Sequence, residues 1–139
     1  MRILFDTSAL YKRYRAEPGR DQLMAASDRA REVVVAAHCK TEIASALNRQ
    51  RHDGVLAAPD YARIMSVVHA DFADFSCMAL DRRVEALAIA AMEPNRLRAI
   101  DALHIGTAQA AEVDLFVTAD RRQAAAAAAV GLKIELIEA

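Results

Sequence analysis

Five short apolar runs, at residues 2–5, 32–37, 75–80, 115–118 and 132–137, are continuous rather than alternating, and several are rich in β-branched side chains. A strand that is apolar on both faces must be covered on both, which is the pattern of a parallel sheet. Segments with helical spacing separate these runs, at residues 8–14, 20–30, 40–52, 58–73, 81–92, 101–111 and 121–130. The order predicts an α/β chain, a three-layer α/β/α sandwich around a five-stranded parallel sheet. At 139 residues, with no linker, repeat or composition break, residues 1–139 read as a single domain. Hydrophobic residues make up 55% but aromatic residues only 5%, so alanine dominates the apolar count. The six alanines from Ala124 to Ala129, ending near Gly131, fit a closely docked helix with a glycine at its C-terminal end.

Several classes are excluded. No run approaches the roughly 18–20 apolar residues that span a bilayer, and the start Met1-Arg2-Ile3-Leu4-Phe5 is stopped by Asp6 before any secretory apolar segment forms. The expectation is a cytoplasmic protein without a membrane association. Cys39 and Cys77 form no CxxC pair and read as buried apolar residues. Glycines at only 19, 54, 106 and 131 leave neither a dinucleotide fingerprint nor a P-loop. The net charge of −1 argues, on its face, against a nucleic-acid binder.

Ligands of parallel α/β sheets bind beyond the carboxyl ends of the strands. Asp6 follows the first run there, Glu42 the second and Asp120 the fourth, while Asp101 opens the helix at 101–111 on the stripe of Ile105 and Ala108. Each acid alone has a structural explanation, as a helix cap or a first-turn partner of the helix dipole. Four caps need not converge, however, and four acids at one sheet edge repel unless a cation holds them. Oxygen ligands without nearby cysteine suit Mg²⁺ or Mn²⁺ better than zinc. A receiver domain would need a paired acid after the first strand and a lysine after the last, and a haloacid-dehalogenase-type phosphatase would begin DxD; neither pattern is present.

Asp6-Thr7-Ser8-Ala9-Leu10, Thr41-Glu42-Ile43-Ala44-Ser45-Ala46-Leu47, the segment Arg98-Ala99-Ile100-Asp101-Ala102-Leu103-His104-Ile105-Gly106-Thr107-Ala108, and Val117-Thr118-Ala119-Asp120 resemble the four acidic motifs of PIN-domain ribonucleases. Within that family they are most similar to the VapC toxins of bacterial toxin-antitoxin pairs. The resemblance covers nearly the whole chain, and no acidic position is missing. It implies metal-dependent endonucleolytic cleavage of RNA to a 5′-phosphate and a 3′-hydroxyl, with Mg²⁺ or Mn²⁺ in the carboxylate cluster. It further implies Asp6 and Asp101 as direct metal ligands, Glu42 and Asp120 as completing the cluster directly or through water, Thr118 as the hydroxyl before the last acid, and Ser8 as support for the first. Asp114 and Asp120 flank the same strand; the threonine two residues earlier favours Asp120. A small cognate antitoxin and a homodimer are the partners implied.

Cations are needed near such a nest to meet substrate phosphates, and Lys12, Arg13, Lys40, Arg98 and Arg121 are the candidate RNA contacts, with Arg96 and Arg122 beside them. With the four acids set aside, the remainder of the chain is net positive, so a bound metal makes room for RNA. His104, three residues after Asp101, reads as a packing or hydrogen-bonding residue; His38 has no partner visible in the sequence, with an RNA contact as the alternative. The rival functional reading is a non-catalytic PIN-like interaction module that binds a partner protein through its acidic groove.

Overall fold

The computed structural model describes residues 1–138. At the middle of its sheet lies β1 (Arg2–Phe5), whose Ile3, Leu4 and Phe5 are fully buried. The chain continues through α1 (Thr7–Tyr14), α2 (Arg20–Arg29), β2 (Glu32–Ala36), α3 (Cys39–His52), α4 (Ala58–Asp74) and β3 (Ser76–Met78). It then runs through α5 (Arg82–Met92), α6 (Ala99–Ala111), β4 (Leu115–Thr118), α7 (Arg121–Ala129) and β5 (Ile134–Leu136). The strand order is β3-β2-β1-β4-β5, every pairing is parallel, and Ile3 stands opposite both Val33 and Leu115. This is the expected α/β/α sandwich, and the order reverses at β1, between β2 and β4.

Alternation within the strands divides the core. Ile3, Phe5, Val35, Leu115 and Val117 face a cluster that includes Leu23, Ile43, Leu47 and Val68 from α2, α3 and α4. Leu4, Val34 and Phe116 face the opposite way, against Ala91, Ile105, Ala108, Ala126 and Ala127 of α5, α6 and α7. The alanine surplus therefore builds mainly one layer, where small side chains let helices lie close to the sheet. Cys39 is buried, but Cys77 is exposed on the edge strand β3, contrary to expectation. No helix among the described residues is long and apolar enough to cross a membrane.

Boundaries shift where backbone groups find local partners. β3 is shorter than the apolar run at 75–80 because the Phe75 N–H closes α4 on the Asp71 carbonyl, and the Asp81 N–H turns back to Ala79 at 3.1 Å. β5 begins only at Ile134, since the N–H groups of Gly131 and Leu132 return to the carbonyls of Ala128 and Ala127 with Gly131 at φ +90°. That is a glycine-terminated helix end. α6 starts at Ala99 rather than Asp101: Arg98 is the extended capping residue, and its carbonyl accepts from Asp101 and Ala102. Asp101 consequently sits inside the first turn.

The contact that fixes α6 is its approach to α5. A Cβ at Gly106 would lie 2.6 Å from the Val84 carbonyl oxygen and 2.9 Å from the Ala88 nitrogen, both backbone atoms. Nothing larger than glycine fits without separating the helices. Gly106→Ala is expected to cost about 1–3 kcal/mol, which thermal unfolding would register as a drop of several degrees in Tm.

Candidate functional site

Asp6 leaves the sheet while still tied to it, its N–H donating to the Val117 carbonyl at 3.1 Å. Its carboxylate turns back over the start of α1. Oδ1 accepts from the Ala9 N–H at 3.0 Å and from the Ser8 hydroxyl at 2.7 Å, and Oδ2 accepts from the Thr118 hydroxyl. The residue is only 3% exposed. All three donors are neutral, and Asp6 makes no ion pair among the described residues. Burial raises its pKa above the ordinary value, against opposing contributions from the His104 charge and these hydrogen bonds.

Glu42 lies in the first turn of α3 and is held from one side. Its Oε1 accepts from the Thr7 hydroxyl at 2.6 Å and from His104 Nε2 at 3.0 Å, with His38 Nε2 at 3.3 Å. Burial raises the Glu42 pKa, but these hydrogen bonds and the two imidazole charges outweigh it and hold the group below the usual value. His38 Nε2 lies 2.8 Å from the Ile100 carbonyl, which can only accept, so that nitrogen carries the proton. The two imidazoles approach to 4.4 Å between centroids. His38 thus has a structural partner that the sequence does not reveal, and Thr7 joins the site unforeseen, its only signal being a hydroxyl directly after Asp6.

The remaining acids come from the other helical layer. Asp101 faces Arg98, with Nε–Oδ2 at 3.1 Å and Nη2–Oδ1 at 3.4 Å. Asp120 caps α7, its Oδ1 accepting from the N–H groups of Arg122 at 2.8 Å and Gln123 at 3.3 Å. The Asp120 N–H donates to Thr118 Oγ1 at 3.0 Å, so one hydroxyl links Asp6 to Asp120. Ser8 Oγ accepts from the Ala119 N–H at 3.0 Å and closes the same corner. Asp114 lies at the other end of β4, where its Oδ2 accepts from the Arg2 N–H at 2.7 Å.

All four acids line one cavity of about 200 Å³, together with Thr7, Ser8, Arg98 and His104. An adjoining cavity of about 470 Å³ shares Arg98, Asp101 and Asp120 and adds Arg96, Leu97 and Arg122. The other basic candidates lie apart from both. Lys12 donates to the Pro18 carbonyl at 2.8 Å and lies 3.6 Å from Glu17; Arg13 pairs with Asp71 at 2.8 Å. Arg121 faces Glu138 at 3.3 Å beside the end of β5, and Lys40 lies toward Cys77, on whose thiol its charge acts. Local carboxylates capture Lys12, Arg13 and Arg121; among the described residues Arg98 is the one basic side chain that lines both cavities.

The donor set fits a hard divalent cation. A carboxylate taken out of water beside three others, with only neutral donors of its own, is the environment in which a bound cation offsets the cost of burial. Donor atoms of His38, Glu42 and His104 lie within 4.8 Å of one another, a spacing that no group of three of the cleft acids reaches among the described residues. A metal-bound imidazole, however, normally donates its second N–H to an acceptor. His104 Nδ1 is buried without a partner, while Nε2 meets Glu42. His104 therefore fits the role of a donor to Glu42, and the oxygens that of metal ligands.

Residues 3–129 match the PIN domain family. The chain belongs to the PIN domain family. Several solved structures share the fold at low identity. FitAcB from Neisseria gonorrhoeae superposes with a TM-score of 0.71 at 16% identity, covering 95% of each chain. VapBC2 from Rickettsia felis, bound to a DNA fragment from its promoter, gives 0.70 at 10% identity over 98% of each. VapC20 of Mycobacterium tuberculosis, described as a sarcin-ricin loop cleaving toxin, gives 0.66 at 15% identity over 89% of this chain and 94% of its own. Among curated proteins, none matches the chain by sequence.

In this PIN domain the two inner acids shift in opposite directions, so their links to stability have opposite signs. Asp6 ionises less readily folded than unfolded, so its charge costs stability above the raised pKa, and the cost is gone below about 4, where both states are protonated. Glu42 contributes stability above its ordinary pKa and loses it as pH falls through the depressed one. Asp6→Asn is accordingly expected to raise Tm in EDTA at pH 7.5 by about 2–4 °C. The gain should shrink as pH falls through the folded-state pKa of Asp6, which calorimetry across the pH range would follow.

Proposed function

We propose that this PIN domain is a metal-dependent endoribonuclease, the toxin of a toxin-antitoxin pair, hydrolysing RNA phosphodiesters at the four-carboxylate cleft with Mg²⁺ or Mn²⁺. The observation that carries the reading is Asp6, a buried carboxylate with no cationic partner among the described residues, opening on the cavity that Glu42, Asp101 and Asp120 also line. Asp6 and Asp101 would hold the ion, with Glu42 and Asp120 completing the set directly or through water. When bound, such an ion supplies positive charge at the scissile phosphate and lowers the pKa of a water.

The chain's own residues then have distinct tasks. Glu42 is kept ionised and anchored through Oε1 by Thr7 and His104, which leaves Oε2 to orient the attacking water. Asp120 is likewise anchored through Oδ1 at the head of α7, leaving Oδ2 for the cleft. Thr118 and Ser8 fix Asp6. Arg98, between the two cavities, pairs with Asp101; with Asp101 holding an ion, its guanidinium would be free to meet the scissile phosphate. The neighbouring recess of Arg96 and Arg122 takes the next phosphate along the strand. The products are a 5′-phosphate and a 3′-hydroxyl. A small antitoxin whose tail blocks the cleft is the partner, and the toxin acts as a homodimer; the toxin-antitoxin complexes among the structural neighbours support the pairing.

Induced expression in bacteria should halt growth with loss of RNA integrity, and purified protein should cleave RNA with Mg²⁺ or Mn²⁺ and not in EDTA. Asp6→Asn and Asp101→Asn are each expected to lower kcat by about 10²–10³-fold. Wild type and variants that are equally inert would instead favour the interaction-module reading. Arg96→Ala with Arg122→Ala should weaken RNA binding and reduce the slope of log K against log salt by about 0.7 per arginine, measured by fluorescence anisotropy in the Asp6→Asn background.

A further inference from the structure

Gln123 is 1% exposed, in the helical layer whose apolar cluster is built mainly of alanine and aliphatic side chains. It lies three residues after the α7 cap Asp120, where a glutamine usually turns back to the N–H of the capping residue. Here that N–H is already given to Thr118 Oγ1, and the Gln123 side chain takes another course. Its Nε2 donates across the helix gap to the carbonyl of Asp101 at 3.0 Å. The carbonyl can only accept, which fixes the amide orientation and leaves Oε1 buried without a partner. The Gln123 backbone N–H meanwhile donates to Asp120 Oδ1 at 3.3 Å. One residue thus touches the main chain of one cleft acid and the carboxylate of another.

We propose that Gln123 is a positioning residue for the metal site, clamping the first turn of α6 against the first turn of α7 and so setting the distance between Asp101 and Asp120. This rests on the metal-site reading above. A purely packing residue has no use for an amide: methionine fills similar volume without leaving a buried acceptor unpaired. The Asp101 carbonyl also has the α6 ladder available to it, so the cross-helix bond adds orientation rather than rescuing a lone acceptor.

The test is Mn²⁺ binding to wild type and Gln123→Met, by isothermal titration and by electron paramagnetic resonance, with Tm in EDTA alongside. The expected result is Mn²⁺ affinity weakened by about tenfold or more with metal-free Tm unchanged or higher. A lower Tm with unchanged Mn²⁺ affinity would assign Gln123 to packing alone and overturn the proposal. Wild type that binds no Mn²⁺ would remove the metal-site reading and this one together, whereas equal affinities in wild type and variant would remove only this one. A second measurement needs no variant: in a Mg²⁺ titration by nuclear magnetic resonance, the Gln123 side-chain amide of wild type should shift along the same binding curve as the backbone amides of Asp101 and Asp120. A side-chain resonance that stays still while those amides move would also overturn the proposal.

Discussion

A carboxylate removed from water at the end of the central strand is the constraint around which this molecule is arranged. Asp6 is surrounded by a backbone N–H and two hydroxyls, which orient its oxygens without neutralising them. Those hydroxyls come from Ser8 and Thr118, so the same bonds that hold Asp6 tie the start of α1 to the end of β4. The cap and the cleft acid are one group: Asp6 and Asp120 each satisfy helix N–H with one oxygen while lining the cleft. The capping explanation and the functional explanation, alternatives when the acids are taken singly, are therefore compatible in three dimensions.

The scaffold brings the acids together from both faces of the sheet. Asp6 and Glu42 belong to the layer of α1 and α3, Asp101 and Asp120 to the layer of α6 and α7, and the cleft opens where the layers meet beyond β1 and β4. Two features of the second layer control its side of the cleft. Backbone contact at Gly106 sets where α6 can lie, and the capping residue Arg98 sets where α6 begins. The first is a matter of residue size and the second of backbone conformation, at a residue whose guanidinium also lines the cleft.

Much of this was legible in the sequence because it rests on local pattern. Continuous apolar runs identify strands buried on both faces, and the helical stripes between them identify covering layers, so the parallel sandwich follows. The four acids were legible because each lies at a strand end or helix start. What escaped depends on partners distant in the chain. Thr7 reaches Glu42 across 35 positions, His38 reaches Ile100 across 62, and Gln123 reaches Asp101 across 22. The basic residues show the opposite difficulty: Lys12 and Arg13 sit close to the first motif in sequence, yet Glu17 and Asp71 draw them elsewhere. Proximity along the chain predicted charge near the cleft for Arg98 and for its neighbours Arg96 and Arg122, and of these Arg98 pairs directly with a cleft acid.

The position of β1 also bears on how the protein is made. Of the five strands described, the central one, β1, is made first, and its second neighbour, β4, is encoded at Leu115–Thr118. Pairing over such a separation is entropically slow and waits for the residues between the two strands to emerge. Until then Asp6 lacks the Val117 carbonyl and the Thr118 hydroxyl, and Asp120 has not been synthesised. A nascent or truncated chain ending before β4 therefore has no assembled cleft. The cleft assembles only once β4 and the head of α7 have been made.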